Sequence, residues 1–158
     1  LNFISRLDRE GVAGLVLFNR LFQPDIDAER ESIGLPFNFS HPADSRLPLR
    51  FAGLLFGRVK AEVCASTGIM SGADVARMVL AGASAVQVVT ALYRNGVGSL
   101  TKMAADLAAW MDRRGYRKLD DFRGSLSAEN AKESWAYTRA QYAKMLLNPK
   151  EFMEEARA

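Results

Sequence analysis

Two short stretches of small and hydroxyl-bearing residues, Ser66-Thr67-Gly68-Ile69 and Val88-Val89-Thr90-Ala91, each follow a short apolar run, with a helix-length segment between them. If both apolar runs are parallel strands, the two stretches lie side by side beyond the strands' C-terminal ends. Loops of this composition present backbone N–H groups, and the start of a following helix adds positive potential, so the pair can cradle a phosphate. Thr67, Gly68 and Thr90 are the residues placed to do this. Upstream, Asn19 stands at the C-terminal end of a third apolar run, Leu15–Phe18, with an amide able to read a carboxylate or a heterocycle edge.

Other chemistry is sparse. One cysteine, Cys64, and one histidine, His41, exclude an internal disulfide and a multi-cysteine or histidine-rich metal site. Cys64 lies in an apolar strand and reads as a buried, inert thiol. His41 sits in a Pro-flanked loop and reads as a surface residue. Asp25 and Asp27 are spaced for paired-carboxylate work, although two exposed loop acids are the commoner case. Of Arg20, Arg46 and Arg50, solvation is the default, with room for one of them to touch an anionic ligand.

The elements needed to position these residues follow from periodicity and punctuation. A helix ends near Glu10, broken by Gly11 and Gly14. Strands are expected at Leu15–Phe18, Val63–Ala65 and Ala85–Val89, continuous apolar runs of the kind buried on both faces of a parallel sheet. Leu21–Ser45 is long and aperiodic, with Pro24, Pro36 and Pro42, and Phe37–Ser40 is a candidate short strand inside it; loops this long are more often functional than idle. Pro48 suits the first turn of a helix over Leu49–Lys60. Ser71 and Asp74 have the pattern of a helix start, running to about Ala81 and ending at Gly82. A further amphipathic helix is expected over Ser99–Arg114, closed by Gly115, with Met103, Leu107, Trp110 and Met111 on its core face. One more turn is expected at Leu119–Phe122. Ser127 is expected to cap a final helix from about Ala128 to Leu147. This alternation means an α/β fold with a parallel sheet and right-handed crossovers. Two successive phosphate-type loops are the recurring feature after strands 7 and 8 of a (β/α)8 barrel.

The 158 residues suffice for one domain with a core, and 49% hydrophobic with 25% charged residues is ordinary for a globular protein. The net charge of +3 favours an anionic ligand, but the basic residues are scattered, so no nucleic-acid surface is expected. No run reaches membrane-spanning length and no signal-peptide pattern opens the chain, so no membrane partner and a cytoplasmic location are expected. The chain starts with Leu inside a helix already under way, and is expected to be a fragment.

Four segments then carry a family likeness: Ser-Thr-Gly-Ile-Met-Ser-Gly at 66–72, Leu-Ala-Gly-Ala-Ser-Ala-Val-Gln-Val-Val-Thr-Ala-Leu at 80–92, Arg-Arg-Gly-Tyr at 113–116 and Asp-Asp-Phe-Arg-Gly-Ser-Leu at 120–126. In this order and spacing the chain resembles the C-terminal part of the dihydroorotate dehydrogenases, class 1-like, over roughly residues 12–126. The resemblance implies the C-terminal part of a TIM barrel, about strands 6–8, over residues 1–126, with an extra helical extension at 127–158. It implies FMN as cofactor and oxidation of dihydroorotate or a related dihydropyrimidine-like small molecule. The flavin phosphate would be held at Thr67 and Gly68 and at Val89 and Thr90, with Asn19 matching a substrate-contacting asparagine.

The departures from the family pattern are specific. Thr67-Gly68 replaces Gly-Gly, and Val89-Thr90 replaces Gly-Thr; a valine cannot take φ > 0 cheaply, but its N–H still donates if φ is negative. Arg46 aligns with a glycine near the flavin, where a guanidinium can pair with the phosphate or stay solvated. Arg20 stands where the family has a small hydroxyl residue. The earlier strands, the catalytic base and the flavin-contacting lysines lie outside these residues, so this segment alone is expected to be inactive, with the missing half of the barrel or a second copy as partner. Two other readings use the same loops: a flavin-independent barrel lyase or isomerase acting on a phosphorylated metabolite, and a non-catalytic half-barrel that works by association.

Overall fold

The structure, a computed structural model, describes residues 1–20, 24–36, 38–138 and 147. Helix α1 (Asn2–Arg9) buries Ile4 and is tied to the sheet by Asp8, whose Oδ1 accepts from the amides of Lys60 and Ala61, both at 2.8 Å. Strand β1 (Gly14–Leu17) follows. An antiparallel hairpin of β2 (Asp25–Asp27) and β3 (Ser32–Gly34) then interrupts the chain. A 3-10 turn over Pro42–Ser45 leads into α2 (Arg46–Leu55). Strand β4 (Glu62–Ser66), α3 (Gly72–Ala81) and β5 (Ala85–Gln87) complete a parallel sheet in the order β1-β4-β5. Helices α4 (Thr90–Asn95) and α5 (Gly98–Arg114) come last, followed by 3-10 turns at Leu119–Asp121 and Ser134–Tyr137. The βαβαβ order and three parallel strands agree with the periodicity.

The core lies on one side of the sheet. Leu17, Val63 and Ala65 point into a cluster with Ala52 and Leu55 of α2 and Met78 and Ala81 of α3. On the opposite face the register aligns Val16 with Cys64 and Cys64 with Ala85. Val16 is 55% exposed there, and Gly14, Ala85 and Gln87 are exposed too. The strands are therefore buried on one face among the described residues, not on both as the apolar runs suggest. Cys64 is half-buried rather than buried, and desolvation pushes its thiol above the usual range. Among the described residues no helix is long and apolar enough to cross a membrane, and no metal-ligand cluster forms.

Several boundaries differ from the sequence reading. The expected helix over Leu49–Lys60 starts at Arg46 and stops at Leu55, because Phe56 turns to extended backbone before the turn at Gly57. Pro48 does sit in its first turn. Residues 38–40 are irregular rather than a strand, with residue 37 outside the described residues, and the real strands of this region are β2 and β3. The last strand stops at Gln87, and α4 replaces what reads as a loop. Over 128–138 the expected long helix is absent, and 139–146 fall outside the described residues. Here bonds to α2 compete with local helix formation: Ala128 N–H donates to Gly53 O at 2.9 Å and Arg50 Nε donates to Tyr137 O at 3.0 Å.

The helix start at Ser71 is as the sequence implies. Its Oγ accepts from Asp74 N–H at 3.2 Å, while Asp74 Oδ2 accepts from Met70 N–H and Ser71 Oγ, and Oδ1 pairs with Arg77 at 2.6 Å. This start is pressed against α5. A Cβ on Gly72 would lie 2.7 Å from Met103 O and 2.9 Å from Leu107 N. Met103 is buried and Trp110 stacks edge-on with Phe122 at 5.0 Å, so the expected core face of α5 is the one that packs.

Gly72→Ala is expected to lower stability by about 1–3 kcal/mol in urea unfolding, because backbone on both sides must move. Cys64 is expected to react with iodoacetamide at pH 8 more slowly than a free thiol, since a raised pKa leaves less thiolate, and to reach the free-thiol rate on unfolding.

Candidate functional site

The C-terminal ends of β1, β4 and β5 are cross-linked by side chains. Thr67, just past β4, donates its hydroxyl to Phe18 O beyond β1 at 2.9 Å. Ser40 links the loop after β4 to the loop after β5. Its Oγ accepts from Gly68 N–H at 3.3 Å and shares a hydroxyl–hydroxyl bond with Thr90 Oγ1 at 2.8 Å, while its own N–H donates to Thr90 Oγ1 at 3.2 Å. Ser40 and Thr90 are each only 8% exposed.

Ser40 reaches this position because its segment is anchored at both ends. Arg20 donates to Phe39 O at 2.7 Å and pairs with Asp44 at 3.2 Å. His41 N–H donates to Asp44 Oδ2, and His41 Nδ1 accepts from Ala43 N–H, which starts the 3-10 turn. Gly68 supplies the remaining condition. Its φ is +74°, and a Cβ there would lie 2.4 Å from Ser45 N and 2.9 Å from His41 O. Thr67 also has positive φ, at +84°, which is unfavourable for a β-branched residue and is held in place by its bond to Phe18.

A cavity of about 360 Å³ opens beside this cluster, and Asn19, Arg46 and Thr67 line it together with Arg20 and Asp44. Arg20 is neutralised by Asp44 and Arg50 is committed to Tyr137 O, so of the three arginines Arg46 is the one with no ion-pair or hydrogen-bond partner among the described residues. Val89 does not line this cavity. It is 55% exposed, with φ −125°, so its backbone avoids the positive-φ conformation a valine resists. Thr90 is buried at the Ser40 junction. Asp25 and Asp27 lie away from the cavity, where they accept bonds from their own turn: Ile26 N–H to Asp25, and Glu29 and Arg30 N–H to Asp27. His41 is a turn residue. Ser40 has no local sequence signal, since its partner Thr90 lies 50 positions away.

Thr67→Gly is expected to be tolerated within about 1 kcal/mol, because relief of the positive φ offsets the lost hydroxyl bond. Gly68→Ala is expected to cost about 2 kcal/mol or more, combining backbone strain with a collision against Ser45. Thermal unfolding of the two variants side by side measures the contrast.

The family model for dihydroorotate dehydrogenase matches residues 51–111, from α2 through α5. A putative dihydroorotate dehydrogenase A (fumarate) of Solibacter usitatus is 35% identical over 122 residues, 75% of this chain and 40% of that protein. A dihydroorotate dehydrogenase (fumarate) of Trypanosoma cruzi is 49% identical over 57 residues, 36% of this chain and 18% of its own length. The crystal structure of ligand-free DHODH from Eimeria tenella superposes with a TM-score of 0.58 at 25% identity, covering 77% of this chain and 34% of that one. The chain thus spans less than half the length of the curated relatives it matches. On its sequence and on the architecture that carries the loops, the chain is a dihydroorotate dehydrogenase-like protein, corresponding to part of that family's length.

Proposed function

We propose that this chain is the phosphate-holding portion of an FMN-dependent oxidoreductase that acts on dihydroorotate or a related dihydropyrimidine-like molecule. In this reading β1, β4 and β5 are strands 6, 7 and 8 of the barrel, and residues 1–126 belong to the flavin-binding domain. The observation that carries it is the Ser40 junction. It joins the small-residue loops of two adjacent parallel strands at their C-terminal ends, the end at which barrel enzymes bind ligands.

The residues present suit a phosphate. Gly68 lets the Ser40–Ser45 segment pack closely against the first loop, Val89 has a backbone conformation that keeps its N–H usable, and Arg46 adds a cation with no carboxylate partner among the described residues. When bound, FMN supplies the hydride chemistry. This chain's residues bind and orient: Thr67, Gly68, Val89, Thr90 and Arg46 toward the phosphate, and the Asn19 amide toward a carboxylate or ring edge of the substrate. Among the described residues Asp44 is the one carboxylate that lines the cavity, and its pairing with Arg20 leaves the proton-moving group to residues outside this segment in this reading. The missing half of the barrel, or a second copy, would supply that group and cover the open sheet edges.

An absorption spectrum of the intact natural protein that carries these residues tests the proposal. The expected result is a flavin spectrum that bleaches anaerobically with dihydroorotate, and release of FMN on denaturation. Arg46→Met is expected to weaken FMN binding about tenfold. Absence of flavin even after incubation with FMN would overturn the flavin reading and favour a barrel lyase or isomerase on a phosphorylated metabolite.

A further inference from the structure

Ser40 lies in neither small-residue loop, yet it touches both. Its three hydrogen bonds use a definite set of protons. Two amides donate inward: Gly68 N–H to Ser40 Oγ and Ser40 N–H to Thr90 Oγ1. The Ser40 and Thr90 hydroxyls then bring two protons to a junction that contains one bond between them, at 2.8 Å. Whichever hydroxyl donates in that bond, the other keeps an O–H with no acceptor among the described residues. Both residues are 8% exposed, so the spare donor has little access to water. A staple that only held the chain together would satisfy itself, because a buried donor left unmet is costly. An anionic oxygen between the two loops would complete the set.

Resting on the phosphate site proposed above, we propose that Ser40 is a positioning residue of that site: it fixes the spacing of the two loops and, with Thr90, aims one shared hydroxyl proton at the phosphate of a phosphate monoester. Three structural facts make this a site property rather than general packing. The junction sits where the backbone ladder between β4 and β5 has ended, the last pair being Ser66 with Gln87. Ser40 therefore replaces sheet pairing at the point where the loops diverge. Gly68 is shaped for this segment, since a side chain there would displace Ser45. Arg20 and Asp44 clamp the segment from the cavity side, so a shift of Ser40 would also move that wall.

The test compares FMN with riboflavin, which share the ring and differ in the phosphate. Dissociation constants are read from flavin fluorescence in the intact apoprotein, wild type and Ser40→Ala. The wild type is expected to prefer FMN. In Ser40→Ala the FMN affinity is expected to fall about tenfold or more, toward that of riboflavin, with riboflavin binding unchanged. Ser40→Thr, which keeps the hydroxyl, is expected to restore the preference. If Ser40→Ala keeps the wild-type ratio, or weakens both flavins equally, the assignment of Ser40 is wrong and its role is only structural. If the wild type itself shows no preference for FMN, the phosphate site fails first, a result distinct from failure of Ser40 alone. Should Ser40→Ala not fold, Thr90→Val cuts the same bond from the other end at nearly constant volume, and the same ratio decides.

Discussion

Everything at the upper end of this sheet depends on a buried serine. Parallel strands hold each other through their ladder, and the ladder from β4 to β5 ends at Ser66 and Gln87. Beyond it the two loops would separate, because each must also turn into its own helix. Ser40 prevents this with three hydrogen bonds that span 28 positions to Gly68 and 50 to Thr90. Each neutral bond nets only about 1 kcal/mol, but breaking one here strands a buried partner, which costs more than the bond contributed. The Thr67 bond to Phe18 does the same between β4 and β1. The cavity that Asn19, Thr67 and Arg46 line is therefore built beside a cross-linked platform, and its residues come from segments far apart in sequence.

The platform has one covered face and one open one. Helices cover the face of the sheet with Leu17, Val63 and Ala65, whereas Val16, Cys64, Ala85 and Gln87 face no described element. Among the described residues β1 and β5 are outer strands, each with an unpaired edge. A barrel removes such edges by closing, and an open sheet with bare edges recruits other strands. The cavity offers donors, an amide and a cation, and the one carboxylate that lines it among the described residues, Asp44, is paired with Arg20. The chain also covers only 40%, 18% and 34% of the lengths of the three relatives reported above.

The fold was legible where local chemistry sets it. The start at Ser71 with Asp74 is written in four residues, the stop at Gly115 in one, and the alternation of apolar runs with amphipathic stretches gives the parallel sheet. Reading failed where distant contacts override local preference. Residues 128–138 have helical character, but Gly53 and Arg50 of α2 capture their backbone. The β2–β3 hairpin is hidden in a Pro-rich stretch because its pairing residues stand as single apolar positions, Ile26 between Asp25 and Asp27 and Ile33 between Ser32 and Gly34. For the site, the loop residues announced themselves by composition, and the structure brings Thr67 and Asn19 to one cavity with Arg46. Ser40 gave no signal, since nothing near it in sequence shows that it meets Thr90.

The measurement that bears most directly on this account is a crystal structure of the intact protein soaked with FMN. The expected result is a phosphate within hydrogen-bond distance of the Ser40–Thr90 hydroxyl pair, with the Arg46 side chain turned toward it. A flavin whose phosphate lies elsewhere, with the Ser40 junction untouched, would contradict the claim that these two loops form a single phosphate site.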